Sequence, residues 1–155
     1  MVKYYNFDIV FAEIPDETTL AINITNCPNR CKGCHSPHLR EDIGRILNEE
    51  EISALLSVYG ECVTCLCFMG GDATPFEIAA LARFVKDNFP KIKTGWYSGK
   101  SSLCEGFPHR NFDYIKIGEW NEKAGPLNCS TTNQRLYHIL PDGKMQDITY
   151  KFLRK

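Results

Sequence analysis

Three cysteines packed into eight residues constrain this chain more than any other feature. They stand in Cys27-Pro28-Asn29-Arg30-Cys31-Lys32-Gly33-Cys34-His35, spaced Cys-x3-Cys-x2-Cys, and the next cysteine is Cys62. A structural zinc ion takes four protein ligands, and an ordinary ferredoxin cluster is held by four thiolates. Three thiolates in one short loop suit a cubane iron–sulfur cluster in which the fourth iron is open to a non-protein ligand. Pro28 removes a backbone donor and restricts its predecessor, and Gly33 widens the accessible backbone angles, so the segment reads as an irregular loop. Arg30 and Lys32 put positive charge beside an anionic cluster, where it tunes the reduction potential. Spacing alone leaves two other readings open. One is a zinc site completed by His35 or a distant cysteine; the other is a set of inert buried thiols.

Composition narrows the setting of that loop. The chain has 155 residues, 43% hydrophobic and 24% charged, with a net charge of −1. These values suit a single globular domain over residues 1–155 with a real core. No basic run favours nucleic acid or an anionic membrane, and no stretch approaches the ~18 apolar residues of a membrane span. The segment MVKYYNFDIV lacks the apolar core of a signal peptide. A cytoplasmic location is therefore expected, without nucleic-acid or membrane partners. In a reducing compartment eight cysteines are better read as metal ligands, catalytic groups or packing than as disulfides.

Periodicity places the loop within a fold. Residues 3–13 are aromatic and apolar, and 19–25 alternate and are β-branched, predicting a strand whose end is followed by the cysteine loop. Asn48-Glu49-Glu50-Glu51 predicts a helix start, with Ile52, Leu55, Leu56 and Tyr59 at helical spacing up to Gly60. Residues 62–69 are nearly all apolar, as in a strand buried on both faces, which makes Cys62, Cys65 and Cys67 small core residues. That strand runs into Gly70-Gly71-Asp72-Ala73-Thr74-Pro75, where the glycines permit close backbone approach to a ligand. Thr74 and Pro75 are expected to begin a second helix ending near Pro90. Residues 92–99 and 112–118 predict further strands. Residues 134–140 and 145–152 predict a terminal hairpin around Pro141-Asp142-Gly143. Strands alternating with helices imply an α/β fold with parallel pairing and right-handed crossovers. Ligands sit at the carboxyl ends of such strands, where both the cysteine loop and the diglycine fall.

With these residues in view, the chain resembles the radical S-adenosylmethionine (SAM) superfamily. Within it the chain is most similar to the anaerobic ribonucleoside-triphosphate reductase-activating proteins. Cys27-x3-Cys31-x2-Cys34 matches the superfamily's cluster motif, and Gly33-Cys34-His35 resembles a Gly-Cys-Tyr. Gly70-Gly71-Asp72 resembles the Gly-Gly-Asp/Glu segment that contacts the SAM amino group. Asp113-Tyr114-Ile115-Lys116-Ile117-Gly118 resembles an Asp-Val-Leu-Val-Asp-Gly strand, and Ser130-Thr131-Thr132-Asn133-Gln134-Arg135 a Gly-Ser-x-Asn-Gln segment. The chain departs from the family pattern in His35 for Tyr, in Cys129 where Arg-Gly is usual, and in a lengthened stretch over 116–129.

The resemblance implies a partial, open parallel (β/α) barrel of the radical SAM type with a short C-terminal β extension. It implies a 4Fe–4S cluster on Cys27, Cys31 and Cys34, whose open iron binds SAM. It places Gly33, His35, Gly70, Gly71 and Asp72 against SAM, with Ser98 a candidate for its ribose. Reductive cleavage of SAM would give a 5′-deoxyadenosyl radical that takes hydrogen from a glycine of a partner anaerobic reductase, with the electron coming from a donor such as flavodoxin. No side-chain general base is required for that transfer. His38, His109 and His138 are expected to be surface or packing residues. Asn133-Gln134-Arg135 serve either a partner contact or a polar strand edge. The rival readings are another radical SAM activase, a small-molecule radical SAM enzyme, and a non-catalytic zinc or ferredoxin-like binding module.

Overall fold

The computed structural model describes residues 1–28 and 37–153. Of the predicted site residues, Cys31, Gly33, Cys34 and His35 lie outside the described residues. The chain builds β1 (Lys3–Val10), β2 (Thr19–Ile24), β3 (Arg45–Ile46), α1 (Glu49–Tyr59), β4 (Cys65–Met69), α2 (Pro75–Asn88), β5 (Lys93–Tyr97), β6 (Tyr114–Ile117), β7 (Arg135–Ile139) and β8 (Met145–Asp147). The strands form one eight-stranded sheet in the order β3-β1-β2-β4-β5-β6-β7-β8. The central four, β2, β4, β5 and β6, run parallel. Antiparallel pairs flank them on both sides. The fold is thus mixed α/β with a sheet that does not close. No described helix is long and apolar enough to cross a membrane.

The first crossover forms as its residues predict. The Asn48 side chain accepts from the Glu51 N–H at 2.9 Å, three glutamates occupy the positive end of α1, and Ile52, Leu55 and Leu56 are buried. In the second, Pro75 opens α2, but Thr74 makes no side-chain capping bond, so the expected hydroxyl cap is absent and Pro75 carries the start. Leu66 and Phe68 on β4 share a core with Ile22, Ile52, Leu56, Ile78 and Val85 beneath the two helices. Each such fully buried side chain contributes about 1.5–3 kcal/mol.

The other face of β4 packs differently. Cys65 and Cys67 join a second cluster of Ile14, Tyr114, Leu136 and Ile148, to which neither helix contributes. Ile14 comes from the β1–β2 connection, residues 11–18, which folds over this helix-free face as a strap. Both thiols are fully buried, as predicted, whereas Cys62 is exposed because β4 starts only at Cys65 and Cys62 lies in the turn after α1. One strand is added to those expected from sequence, and one prediction is corrected. Residues 3–10 form a full strand antiparallel to β2. The last strand ends at Asp147, where the chain coils into a 3-10 turn over Thr149–Leu153.

Candidate cofactor site at the carboxyl ends of the parallel strands

One rung crosses the parallel strands at their carboxyl ends. Asn23 pairs with Met69, Met69 with Tyr97, and Tyr97 with Lys116. Cys27, Gly70-Gly71-Asp72, Ser98 and Gly118 all lie just past that rung, so the described segments singled out from sequence meet at one end of the sheet. The parallel register produces this, because each βα loop must leave from the same edge.

The neck of the cysteine loop is well braced. Asn26 adopts a left-handed φ of 60°, which turns the chain sharply out of β2. Its N–H donates to Glu41 O at 2.9 Å, and the Cys27 N–H donates to Leu39 O at 2.8 Å. The Thr25 hydroxyl donates to Ile43 O at 2.7 Å. Cys27 is thereby held half-buried at the strand end.

The diglycine lies against Ile24, the last residue of β2. Gly70 and Gly71 have φ of 109° and 98°, a region that L side chains avoid. A Cβ on Gly70 would stand 3.3 Å from Ile24 O, and one on Gly71 would stand 2.6 Å from Ile78 Cγ1. Glycine is therefore required both by conformation and by the closeness of β2 and α2. The Trp96 indole N–H donates to Gly70 O at 2.7 Å, and the Gly70 N–H donates to Tyr97 O at 3.0 Å. Asp72 receives the Ser98 hydroxyl on one carboxylate oxygen at 2.5 Å and the Gly99 N–H on the other at 2.8 Å. Trp96 and Gly99 were not signalled by sequence, because their contacts depend on the β4–β5 register. On the far side, Gly118 approaches Gln134 so closely that a Cβ would stand 2.9 Å from its Cα. That joins the segments at 113–118 and 130–135.

A groove of about 1050 Å3 opens beside these strand ends, lined among others by Met69, Tyr97, Trp120, Leu127, Gln134 and Phe152, with Glu13 and Asp16 from the strap. Its walls mix apolar side chains with Glu13, Asp16, Asn128, Gln134 and Lys151. The Tyr97 hydroxyl donates to Glu13 O. Burial, then the nearby Cys67, Glu13 and Cys65, push its phenol well above the usual range, so it remains a donor. The buried Lys116 ammonium donates to Gly118 O at 3.0 Å and lies 5.4 Å from the Tyr97 ring centre, placing a cation close to the groove.

The strap is anchored at the opposite end of the strands by Glu17. Its carboxylate accepts from Thr64 at 2.7 Å, Lys93 at 2.8 Å and Tyr114 at 2.6 Å. Burial raises the Glu17 pKa, but these three bonds and the Lys93 charge outweigh it and hold the carboxyl below its usual range. Burial and the Glu17 bond push the Tyr114 phenol far up.

The remaining predicted residues serve packing or internal bonds. His38 meets Tyr5 edge-on, His109 bonds Gly143 O, and His138 stacks on Tyr114. Asn133 donates to Glu119 O, Arg135 pairs with Asp147, and Gln134 is buried. Among the described residues no group of three metal-ligating side chains occurs. Compared with protein-family models, curated proteins and solved structures, the chain matches none.

Proposed function

We propose that the chain is a radical SAM protein that activates an anaerobic ribonucleoside-triphosphate reductase, built on a partial, open (β/α) barrel. The observation that carries this reading is the adjacency of two loops: Cys27 follows β2 and Gly70-Gly71-Asp72 follows β4, on neighbouring parallel strands and at the same end. The residues present fit the implied groups. A half-buried thiol sits on a braced neck after β2, and the diglycine, with no side chains of its own, follows the neighbouring parallel strand at the same end.

Cys27, Cys31 and Cys34 would hold a 4Fe–4S cluster, with Gly33 and His35 beside it. Gly70, Gly71 and Asp72 would take the methionine end of SAM, and the groove at Tyr97 and Trp120 has room for the rest. When bound, these groups supply one-electron cleavage of the sulfonium and a carbon radical that takes hydrogen from a partner glycine. The chain's own residues orient, shield and neutralise. No base is needed for that transfer. Among the described residues the groove on the helix-free face is open, which supports a protein substrate over a metabolite.

Anaerobic reconstitution with iron and sulfide tests this. A brown protein that converts SAM to methionine and 5′-deoxyadenosine with a strong reductant, and loses both properties in Cys27→Ala, supports the reading. A colourless chain that takes up zinc instead overturns it. Mixing with a glycyl-radical reductase, SAM and reductant should then give a glycyl doublet in the EPR spectrum.

A further inference from the structure

The carboxyl end of β5 touches both neighbouring strand ends through a chain of hydrogen bonds. The Lys100 N–H donates to Ser98 Oγ at 3.1 Å, and the Ser98 hydroxyl donates to Asp72 Oδ1 at 2.5 Å. The Gly99 N–H donates to Asp72 Oδ2 at 2.8 Å. On the other flank, the Ser98 N–H donates to Lys116 O at 2.8 Å and the Gly118 N–H to Lys100 O at 2.7 Å. Ser98 is 1% exposed, so its hydroxyl is shut away from solvent. A serine hydroxyl has one hydrogen to give, and here it goes to Asp72.

These bonds decide what Asp72 can offer. Charge-assisted bonds of this length are the strong ones, and two of them, from one turn, fix the side chain of Asp72. The main chain on either side is fixed as well, by Trp96 on Gly70 O and by the Thr74 N–H on Gly71 O at 3.0 Å. Both glycines lack a side chain to limit their freedom, so an unbraced Gly-Gly would sample many conformations and lose that entropy on binding.

We propose that Ser98 and the Gly99 N–H are positioning groups: they clamp the Asp72 carboxylate so that Gly70-Gly71-Asp72 meets its ligand with preset backbone groups. Asp72 then serves the ligand through its main chain, and its carboxylate serves the clamp. Ser98 holds the diglycine and gives no hydrogen to a ribose. The ligand in question is the SAM of the preceding proposal, and the role rests on that reading; the clamp does not.

The experiment has two arms. In cluster-free protein, amide hydrogen exchange in Ser98→Ala should accelerate about tenfold over 70–74 and 98–100, the effect of one lost hydrogen bond, with 49–59 unchanged. Ser98→Thr should restore it. In the reconstituted protein, Ser98→Ala and Asp72→Asn should each weaken SAM binding by about tenfold, and the double variant should be no worse than the weaker single, because both break one clamp. Unchanged exchange in Ser98→Ala overturns the proposal. So does a large loss of affinity in Asp72→Asn with none in Ser98→Ala, or a fully additive double variant. A wild-type chain that binds no SAM overturns the ligand role together with the cluster reading. It is told apart from a failed clamp because the exchange arm needs no cluster.

Discussion

Ile14 sits on Gly95: a Cβ at position 95 would stand 2.7 Å from Ile14 Cδ1 and 3.2 Å from Cys67 Sγ. The glycine that interrupts β5 is thus the seat of the strap that covers the helix-free face. Gly95→Ala should lower stability by about 1–3 kcal/mol through overpacking, read as a lower urea midpoint. Adding Ile14→Val, which removes the clashing methyl, should recover part of the loss. No change in the midpoint for Gly95→Ala would mean that the strap is not seated there.

The buried and exposed cysteines should separate by reactivity. Burial pushes the Cys65 and Cys67 thiols well up, and both are inaccessible, whereas Cys62 and Cys104 are exposed. In native protein a thiol-alkylating reagent should modify Cys62 and Cys104 within minutes and reach Cys65 and Cys67 only after unfolding, as measured by peptide mass spectrometry. Cys62→Ala should accordingly leave stability within about 0.5 kcal/mol of wild type.

The Glu17 anchor makes a pH-dependent contribution. Its folded pKa lies below the ordinary glutamate value of 4.5. The folded state therefore favours the carboxylate, so the contribution is complete above that value and fades as pH falls through the folded pKa. Glu17→Gln should cost about 1–3 kcal/mol at pH 7. The gap between wild type and variant should shrink in urea titrations carried out below the ordinary glutamate value. A gap that stays constant with pH would show that the charge of Glu17 contributes nothing.

Gly71 tests the diglycine. With a φ of 98° and a Cβ contact of 2.6 Å to Ile78 Cγ1, Gly71→Ala is strained in backbone and in packing alike. A loss of about 1–3 kcal/mol is expected, together with weaker SAM binding in reconstituted protein. Ala73→Gly, two residues on at an exposed position, should leave SAM binding nearly intact. Equal losses in both would point to general destabilisation of the α2 start.

Much of the architecture was legible in local pattern. The Asn48 cap with its glutamates, the apolar run of β4 and the Pro75 start each carry their own conformational reason within a few residues. Alternation of strand and helix then implied the parallel centre. Strand β1 was not legible as a strand, because its aromatic residues find their partners far along the chain, Tyr4 at Ile24 and Arg45 and Phe7 at Ile22 and Tyr59, and β3 has just two residues, Arg45 and Ile46. The extent of β8 was misjudged for a similar reason. Thr149, whose hydroxyl bonds the Leu136 N–H at 2.8 Å, turns the chain into a coil where alternation continued on paper.

The sequence by itself determined which residues the proposed chemistry rests on: three cysteines at one spacing, two adjacent glycines, and strands short and apolar enough to lie buried side by side. Those properties are local, written in side-chain chemistry and backbone freedom. Only the tertiary structure decided that Cys27 and Gly70 leave adjacent strands at the same edge, that Ser98 spends its hydroxyl on Asp72, and that Glu17 and Ile14 fasten a strap across the open face. Each of these joins residues far apart in the chain, and the pairing register of the sheet, set by burial on both faces, is what brings them within bonding distance.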